Sequence, residues 1–251
     1  MRVAPMNFVL ENARELREAI VRRTIRDVVA EKIASLIAAG LLKVGDDLPS
    51  ERDLAVALRV SRESVRGGIQ ILSAKGLIAV VQGARTRVVS DEVGPEFKQT
   101  REPRLINSYG LSDIHAARLH VELRVVADAA LRIDEETLRF LSDSLEAQRA
   151  AIDDPVRFLI TDREFHFAIY RACGNPALAD FVIDLYGYMM EHRRRAVSEP
   201  GAIAASYDDH RRIVEALKAH DPQAVAAGFE VHLERIHRTT RSSLDAAERG
   251  G

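Results

Sequence analysis

Between Pro49 and Val89 the chain carries two helix-start signals and a hairpin signal in close succession, which leaves few folds open. In PSERDLA (Pro49–Ala55), Ser50 is placed to cap a helix, and Asp53 three residues later to return the bond as a capping box. Leu54, Ala57 and Leu58 supply that short helix with an apolar face. VSRESVR (Val60–Arg66) offers Ser61 as a second cap, and the helix behind it is expected to reach Lys75, where Gly76 stops it. Val65, Ile69 and Leu72 recur at helical spacing and point inward. Arg62 and Arg66 lie one turn apart on another face, so both guanidinium forks project the same way. That geometry suits guanine edges and phosphates in a major groove. Leu77–Val81 and Thr86–Val89 flank Gln82-Gly83-Ala84-Arg85 as the strands of a hairpin, or wing, with Arg85 as its own cation.

This stretch resembles the winged helix-turn-helix of the GntR superfamily of bacterial transcription regulators. In that family the Arg of the PSERDLA-like motif, the Ser/Thr-Arg pair, the following Arg and the wing tip touch DNA. The resemblance therefore implies DNA contact by Arg52, Ser61, Arg62, Ser64, Arg66, Gln82 and Gly83. Two positions depart from the pattern. Gly67-Gly68 stands where the family has better helix formers, and two interior glycines cost about 1 kcal/mol each relative to alanine. Arg85 replaces a second glycine common in the wing, which predicts a differently shaped tip.

Composition agrees with a two-part molecule. The chain has 251 residues, room for two modest domains. Residues 1–90 hold 15 Lys and Arg against 10 Asp and Glu, whereas the remainder holds 21 against 28. A basic first third joined to an acidic remainder suits a nucleic-acid module attached to something that does not touch DNA. No apolar run approaches a membrane span and no signal-peptide core precedes Glu11, so no membrane partner is expected. Cys173 stands alone, which rules out a disulfide framework and makes a reducing cytoplasm the natural setting.

The expected fold is mainly α: an N-terminal winged helix-turn-helix with a small β-hairpin wing, then a C-terminal antiparallel all-α bundle. Residues 1–22 form an N-terminal extension, either a short leading helix or a frayed arm. Residues 23–90 form the DNA-binding domain, opened by an amphipathic helix (Ile25, Val28, Val29, Ile33, Leu36, Ile37) that Gly40 terminates. Residues 91–110, with prolines, glycines and no sustained period, read as a linker. Residues 111–248 are helical throughout, with spans Leu111–Arg132, Asp134–Ile152, Pro155–Cys173, Pro176–Val197, Ile203–His220 and Asp221 to about Ala247. Their boundaries fall at Asp153-Asp154-Pro155, Gly174-Asn175-Pro176, Glu199-Pro200-Gly201 and Asp221-Pro222. Bundle cores of this kind hold ligand and metal sites.

Polar residues interrupt the inward stripes of that bundle. Asp162 and His166 share a stripe with Phe158, Phe165 and Ile169, His210 shares one with Val214 and Leu217, and His232 one with Phe229 and Ile236. A lone histidine on an apolar face is more often a satisfied core residue. Three of them with a carboxylate on the inward faces of one bundle suggest a divalent ion, because an unpaired buried aspartate is costly. The pattern also resembles the helical effector domains of the FadR subfamily, which carry Asp-x-x-x-His on one helix and single histidines on two later ones. That resemblance implies Asp162, His166, His210 and His232 as ligands of zinc, nickel or manganese. Arg118 interrupts the apolar row of Leu111, Ile114, Val121 and Val125. It has two readings: a salt bridge to Glu122 one turn later, or a fork gripping an effector carboxylate beside the metal. The run Arg193–Arg195 reads as a solvated face, and His192 near an inward face as core packing.

The function these features imply is a homodimeric, sequence-specific transcription regulator, a repressor by resemblance, binding a palindromic double-stranded DNA operator. Its bundle would sense a small organic acid through the metal. One alternative keeps the fold and responds to the metal without an organic effector. Another is a metal-dependent hydrolase, since three histidines and a carboxylate can activate water, but no general base or nucleophile motif lies nearby.

Overall fold

The computed structural model describes residues 23–80, 85–94, 97, 109–188, 193, 194 and 196–250. The expected N-terminal extension and most of the linker therefore lie outside the described residues, as do Gln82, Gly83 and His192.

The chain first builds three helices and a wing. Helix α1 (Ile25–Ala38) begins in a full capping box: Thr24 accepts from the Asp27 amide, and the Asp27 carboxylate accepts from the Thr24 amide. Helix α2 (Glu51–Leu58) was expected to start the same way, but only half the box forms. Ser50 accepts from the Asp53 amide, while the Asp53 carboxylate takes the Ser50 hydroxyl and the Arg157 guanidinium instead of the Ser50 amide. A cation from the second half of the chain draws Asp53 away from the backbone. Helix α3 (Arg62–Ala74) is capped by Ser61, and Gly76 at φ 74° ends it in the left-handed region, as expected. Strands β1 (Ile78–Ala79) and β2 (Arg87–Val88) pair antiparallel in the register Ile78↔Val88, shorter than the runs that predicted them.

Gly67 and Gly68 have a packing reason. Both are buried, and a Cβ at Gly68 would lie 2.6 Å from Val29 Cγ1 and 3.1 Å from the Ala30 backbone nitrogen. Helices α1 and α3 cross backbone to backbone there, which only glycine permits. A Cβ at Gly67 meets only the flexible Arg26 side chain, 2.4 Å from its Cδ. Gly68→Ala is therefore expected to destabilise: overpacking costs about 1–3 kcal/mol, against about 1 kcal/mol of gained helix propensity. Gly67→Ala should be close to neutral because Arg26 can swing aside. Urea unfolding of the two variants checks this, and equal midpoints would remove the close-approach argument.

Six further helices make up most of the described remainder: α4 (Leu111–Ala130), α5 (Glu135–Arg149), α6 (Pro155–Arg171), α7 (Pro176–Tyr188), α8 (Ala202–Lys218) and α9 (Pro222–Gly250). Helix α6 runs through the centre, with Phe158, Leu159, Phe165, Ile169 and Tyr170 fully buried. Asp154 caps it with Pro155 in its first turn, and Asn175 Oδ1 caps α7 by accepting from the Leu178 amide. The span expected to continue to Val197 is described as helix to Tyr188 and again at residues 193, 194 and 196. Among the described residues no helix is long and apolar enough to cross a membrane.

Charge pairs join the N-terminal module to the bundle through α1, α2 and the turn between them. Lys32 meets Glu164 at 2.6 Å, Arg157 meets Asp53 at 2.7 Å, and Arg59 reaches Glu136 at 3.0 Å while lying over the Phe140 ring. Arg194 closes the set, donating to both Asp46 carboxylate oxygens and to the Leu41 carbonyl.

Candidate metal centre and DNA-binding face

The arginines singled out from the sequence lie on the surface. Arg52 on α2, Arg62 and Arg66 on α3 and Arg85 beside β2 are all exposed. Arg66 has a partner: its Nε and Nη2 donate to the two Glu51 oxygens at 3.1 and 2.8 Å, tying α3 to the first turn of α2. The Ser61 and Ser64 side chains stand 2.9 Å apart, with Ser61 also accepting from the Ser64 amide, so both hydroxyls sit at the cap of α3. Arg87 is a further exposed cation near the wing, held at 2.8 Å by Asp47. Sequence alternation in β2 alone does not separate a strand's cation from a groove contact.

The polar residues on the inward stripes converge. Asp162, His166, His210 and His232 are each between 0% and 1% exposed, and they offer donor atoms that all lie within 4.8 Å of one another. His210 Nε2 is 3.4 Å from His232 Nε2, and Asp162 Oδ1 lies 3.5 Å from His210 Nε2 and 3.7 Å from His166 Nε2. Donors about 2.1 Å from an ion in a tetrahedral array stand about 3.4 Å apart, and these three spacings lie near that value. Asp162 Oδ1 and His166 Nε2 are buried with no hydrogen-bond partner, which is costly unless a cation lies between them.

Outer partners aim these donors inward. His210 Nδ1 is 2.7 Å from Gln148 Oε1, His232 Nδ1 is 3.4 Å from Asp209 Oδ2, and His166 Nδ1 is 3.2 Å from the Tyr170 hydroxyl. The Tyr170 hydroxyl itself donates to Glu122, so it accepts from His166. Every imidazole thus carries its proton on Nδ1 and turns a lone pair on Nε2 toward the common centre, the tautomer a metal ligand needs. Asp162 behaves alike: Tyr186 and Arg193 donate to Oδ2 at 2.5 and 2.6 Å, leaving Oδ1 facing in. Burial, with positive neighbours adding to it, pushes His210 and His232 well below the ordinary imidazole value and also lowers His166. Burial alone would raise Asp162, but Arg193 and the neighbouring imidazoles outweigh it and hold the carboxyl well below its usual range.

Arg118 forms the salt bridge that its first reading expects. Its Nε and Nη2 donate to the Glu122 oxygens at 2.9 and 3.2 Å, with both side chains buried, and its guanidinium carbon lies 5.8 Å from the Tyr186 ring centre. Arg193 overturns the expectation of a solvated cationic run. It is 1% exposed, contacts Asp162 through Nη2, lies 4.6 Å from the Tyr186 ring centre, and leaves Nε and Nη1 without partners. Gln148, Asp209 and Tyr186 were also missed. A signal for Arg193 existed: it stands seven residues beyond Tyr186, on the inward row of the same predicted helix.

Comparison with known proteins agrees with both halves. Residues 25–88 match "Bacterial regulatory proteins, gntR family", and residues 113–235 match "FCD domain". The chain is 28% identical over 229 residues to the HTH-type transcriptional repressor NanR of Cronobacter sakazakii, covering 89% of this chain and 88% of that one. With the repressor of the same name from an Enterobacter species it shares 28% over 247 residues, covering 94% and 95%. Among solved structures, E. coli McbR/YncC shares the fold at a TM-score of 0.53 and 20% sequence identity, covering 88% of this chain and 99% of that chain.

Proposed function

The chain belongs to the gntR family of bacterial regulatory proteins, with an FCD domain behind its DNA-binding module, and from that premise we propose that it is an operator-binding repressor controlled by a small carboxylate held at a divalent ion inside its bundle. Its relatives are transcription regulators, not enzymes, so a water-activating role for the histidines has no counterpart among them. The ion-binding reading is carried by one observation: Asp162, His166, His210 and His232 turn donors toward a common point while their other polar atoms are engaged outward. Those four would hold zinc, nickel or manganese. Such an ion would supply a positively charged binding point for an oxygen ligand.

On DNA, Arg62 and Arg66 would read base edges. Arg52, Ser61, Ser64 and Arg85, with Gln82 and Gly83 at the wing tip, would fix the module on the backbone and in the neighbouring groove. One such module makes few base contacts, so the working unit is a homodimer on two half-sites about one DNA turn apart. A chain that reads a bacterial operator works in the cytoplasm. Repression is the direction because the relatives above carry that name.

The test is a melting-temperature screen of hydroxy, keto and sugar acids on ion-loaded protein, followed by operator titration with and without the hit. A true effector is expected to raise the melting temperature and to weaken operator binding by about 5- to 150-fold, and by linkage DNA should weaken effector binding by the same factor. A second reading, a regulator answering to the ion alone, is favoured by the complete enclosure of all four donors. Operator binding that follows ion concentration and ignores every acid in the panel would select it.

A further inference from the structure

The charges around the four donors are balanced before an ion enters. Asp162 faces Arg193, Glu122 faces Arg118, and the three imidazoles are neutral by their hydrogen-bond roles. All of these groups are buried, and the buried Asp209 beside His232 is already paired with Arg235, so two added positive charges from a divalent ion meet no unpaired carboxylate outside the donor set, and uncompensated charge in such surroundings is strongly unfavourable. The centre is therefore built to take an anion together with its ion. Arg118 is poorly placed to receive it, because two of its nitrogens already grip Glu122. Arg193 is different. Only its Nη2 is engaged, on Asp162 Oδ2, and its buried Nε and Nη1 have no partner. The carboxylate it holds is the one whose other oxygen faces the ion site, which places the guanidinium one carboxylate away from that site.

We propose that Arg193 is the receptor for the effector's anionic group, and that the effector is a small dianionic carboxylate bridging the ion and Arg193. Two negative charges restore neutrality, and a guanidinium edge with two vacant N–H groups fits a carboxylate by paired, charge-assisted bonds. This rests on the ion-binding reading above and adds to it the residue that chooses the ligand and the charge it selects.

Cobalt(II)-loaded protein tests this, because the visible bands of the ion report both its binding and a change in its coordination. Oxalate serves as the dianionic probe and acetate as the monoanionic one, with cobalt content measured after each titration. Wild type is expected to take one cobalt per chain and to respond to oxalate at concentrations at least ten-fold below acetate. Arg193→Gln should keep its cobalt and need at least ten-fold more oxalate, with Arg193→Lys, which keeps the charge but loses the fork, falling between. An unchanged oxalate midpoint in Arg193→Gln overturns the assignment. If that variant fails to hold cobalt, an unchanged midpoint in Arg193→Lys overturns it. Acetate as effective as oxalate on wild type overturns the dianion. Wild type that takes no cobalt sinks the ion-binding reading itself, and this proposal with it.

Discussion

Alanine at His210 or at His232 is expected to strip the bundle of its ion and to lower the melting temperature of protein purified with metal by roughly 5–15 °C. The size follows from linkage. An ion present at 100 to 1,000 times its dissociation constant adds about 2.7–4.1 kcal/mol to the native state, and a chain of this length moves by about 2–4 °C per kcal/mol. Both histidines point their Nε2 atoms at the shared centre, so either substitution removes one donor of four. A chelator added to unaltered protein should reproduce the shift, which separates loss of the ion from the cavity that the alanine creates. The winged helix should survive, since its own core of Val29, Ile33, Leu54, Val65 and Leu72 is fully buried without help from the centre. Elemental analysis finding no metal, with no melting change on adding zinc, nickel or manganese, would return the histidines to a purely structural role.

The double substitution Arg62→Ala, Arg66→Ala should abolish discrimination between operator and unrelated DNA. Each bidentate base contact contributes about 1–3 kcal/mol, and a dimer loses it in both half-sites. The effect of Arg66→Ala alone should lie toward the lower end. Its guanidinium is held by Glu51 in the free protein, and releasing an exposed pair of that kind offsets about 0.2–1 kcal/mol of the gain on DNA. Arg85→Ala should instead weaken binding evenly across sequences and reduce the salt slope by about one phosphate contact. Filter binding or fluorescence anisotropy at several salt concentrations reads all three. Operator affinity unchanged in the double variant would mean that α3 is not the reading helix.

Local signals carried well from sequence to structure, and signals between helices did not. Ser61, Asn175 and Gly76 act on neighbours within three or four residues, so their roles as caps and stops follow from spacing alone. The candidate ligands Asp162 and His166 were legible because a helical period puts them on one inward face. The outer partners, Gln148 for His210, Asp209 for His232 and Tyr186 for Asp162, sit on three other helices, and helix rotation, which spacing cannot supply, decides which of them meet. Arg193 was misread for a related reason: three consecutive arginines look like one charged surface, yet each step turns a helix by about 100°, which can bury one and leave its neighbour at the edge. Asp53 failed as the second half of a capping box because Arg157, far along the chain, competes for it. The glycine pair showed its cost in sequence and its purpose only in the crossing of α1 with α3.

The charge pairs between the reading head and the bundle bear on how such a protein can be recombined. Regulators of two parts invite exchange of one head for another by cutting in the connecting segment, as if the halves were independent cassettes. Here Lys32, Asp46, Asp53 and Arg59 on one side answer Glu164, Arg194, Arg157 and Glu136 on the other. A foreign head joined near residue 100 would leave Glu164, which is only 7% exposed, facing the seam without Lys32. Successful hybrids would have to import these partners together with the new head, and natural shuffling of the two halves would be bound by the same matching rule.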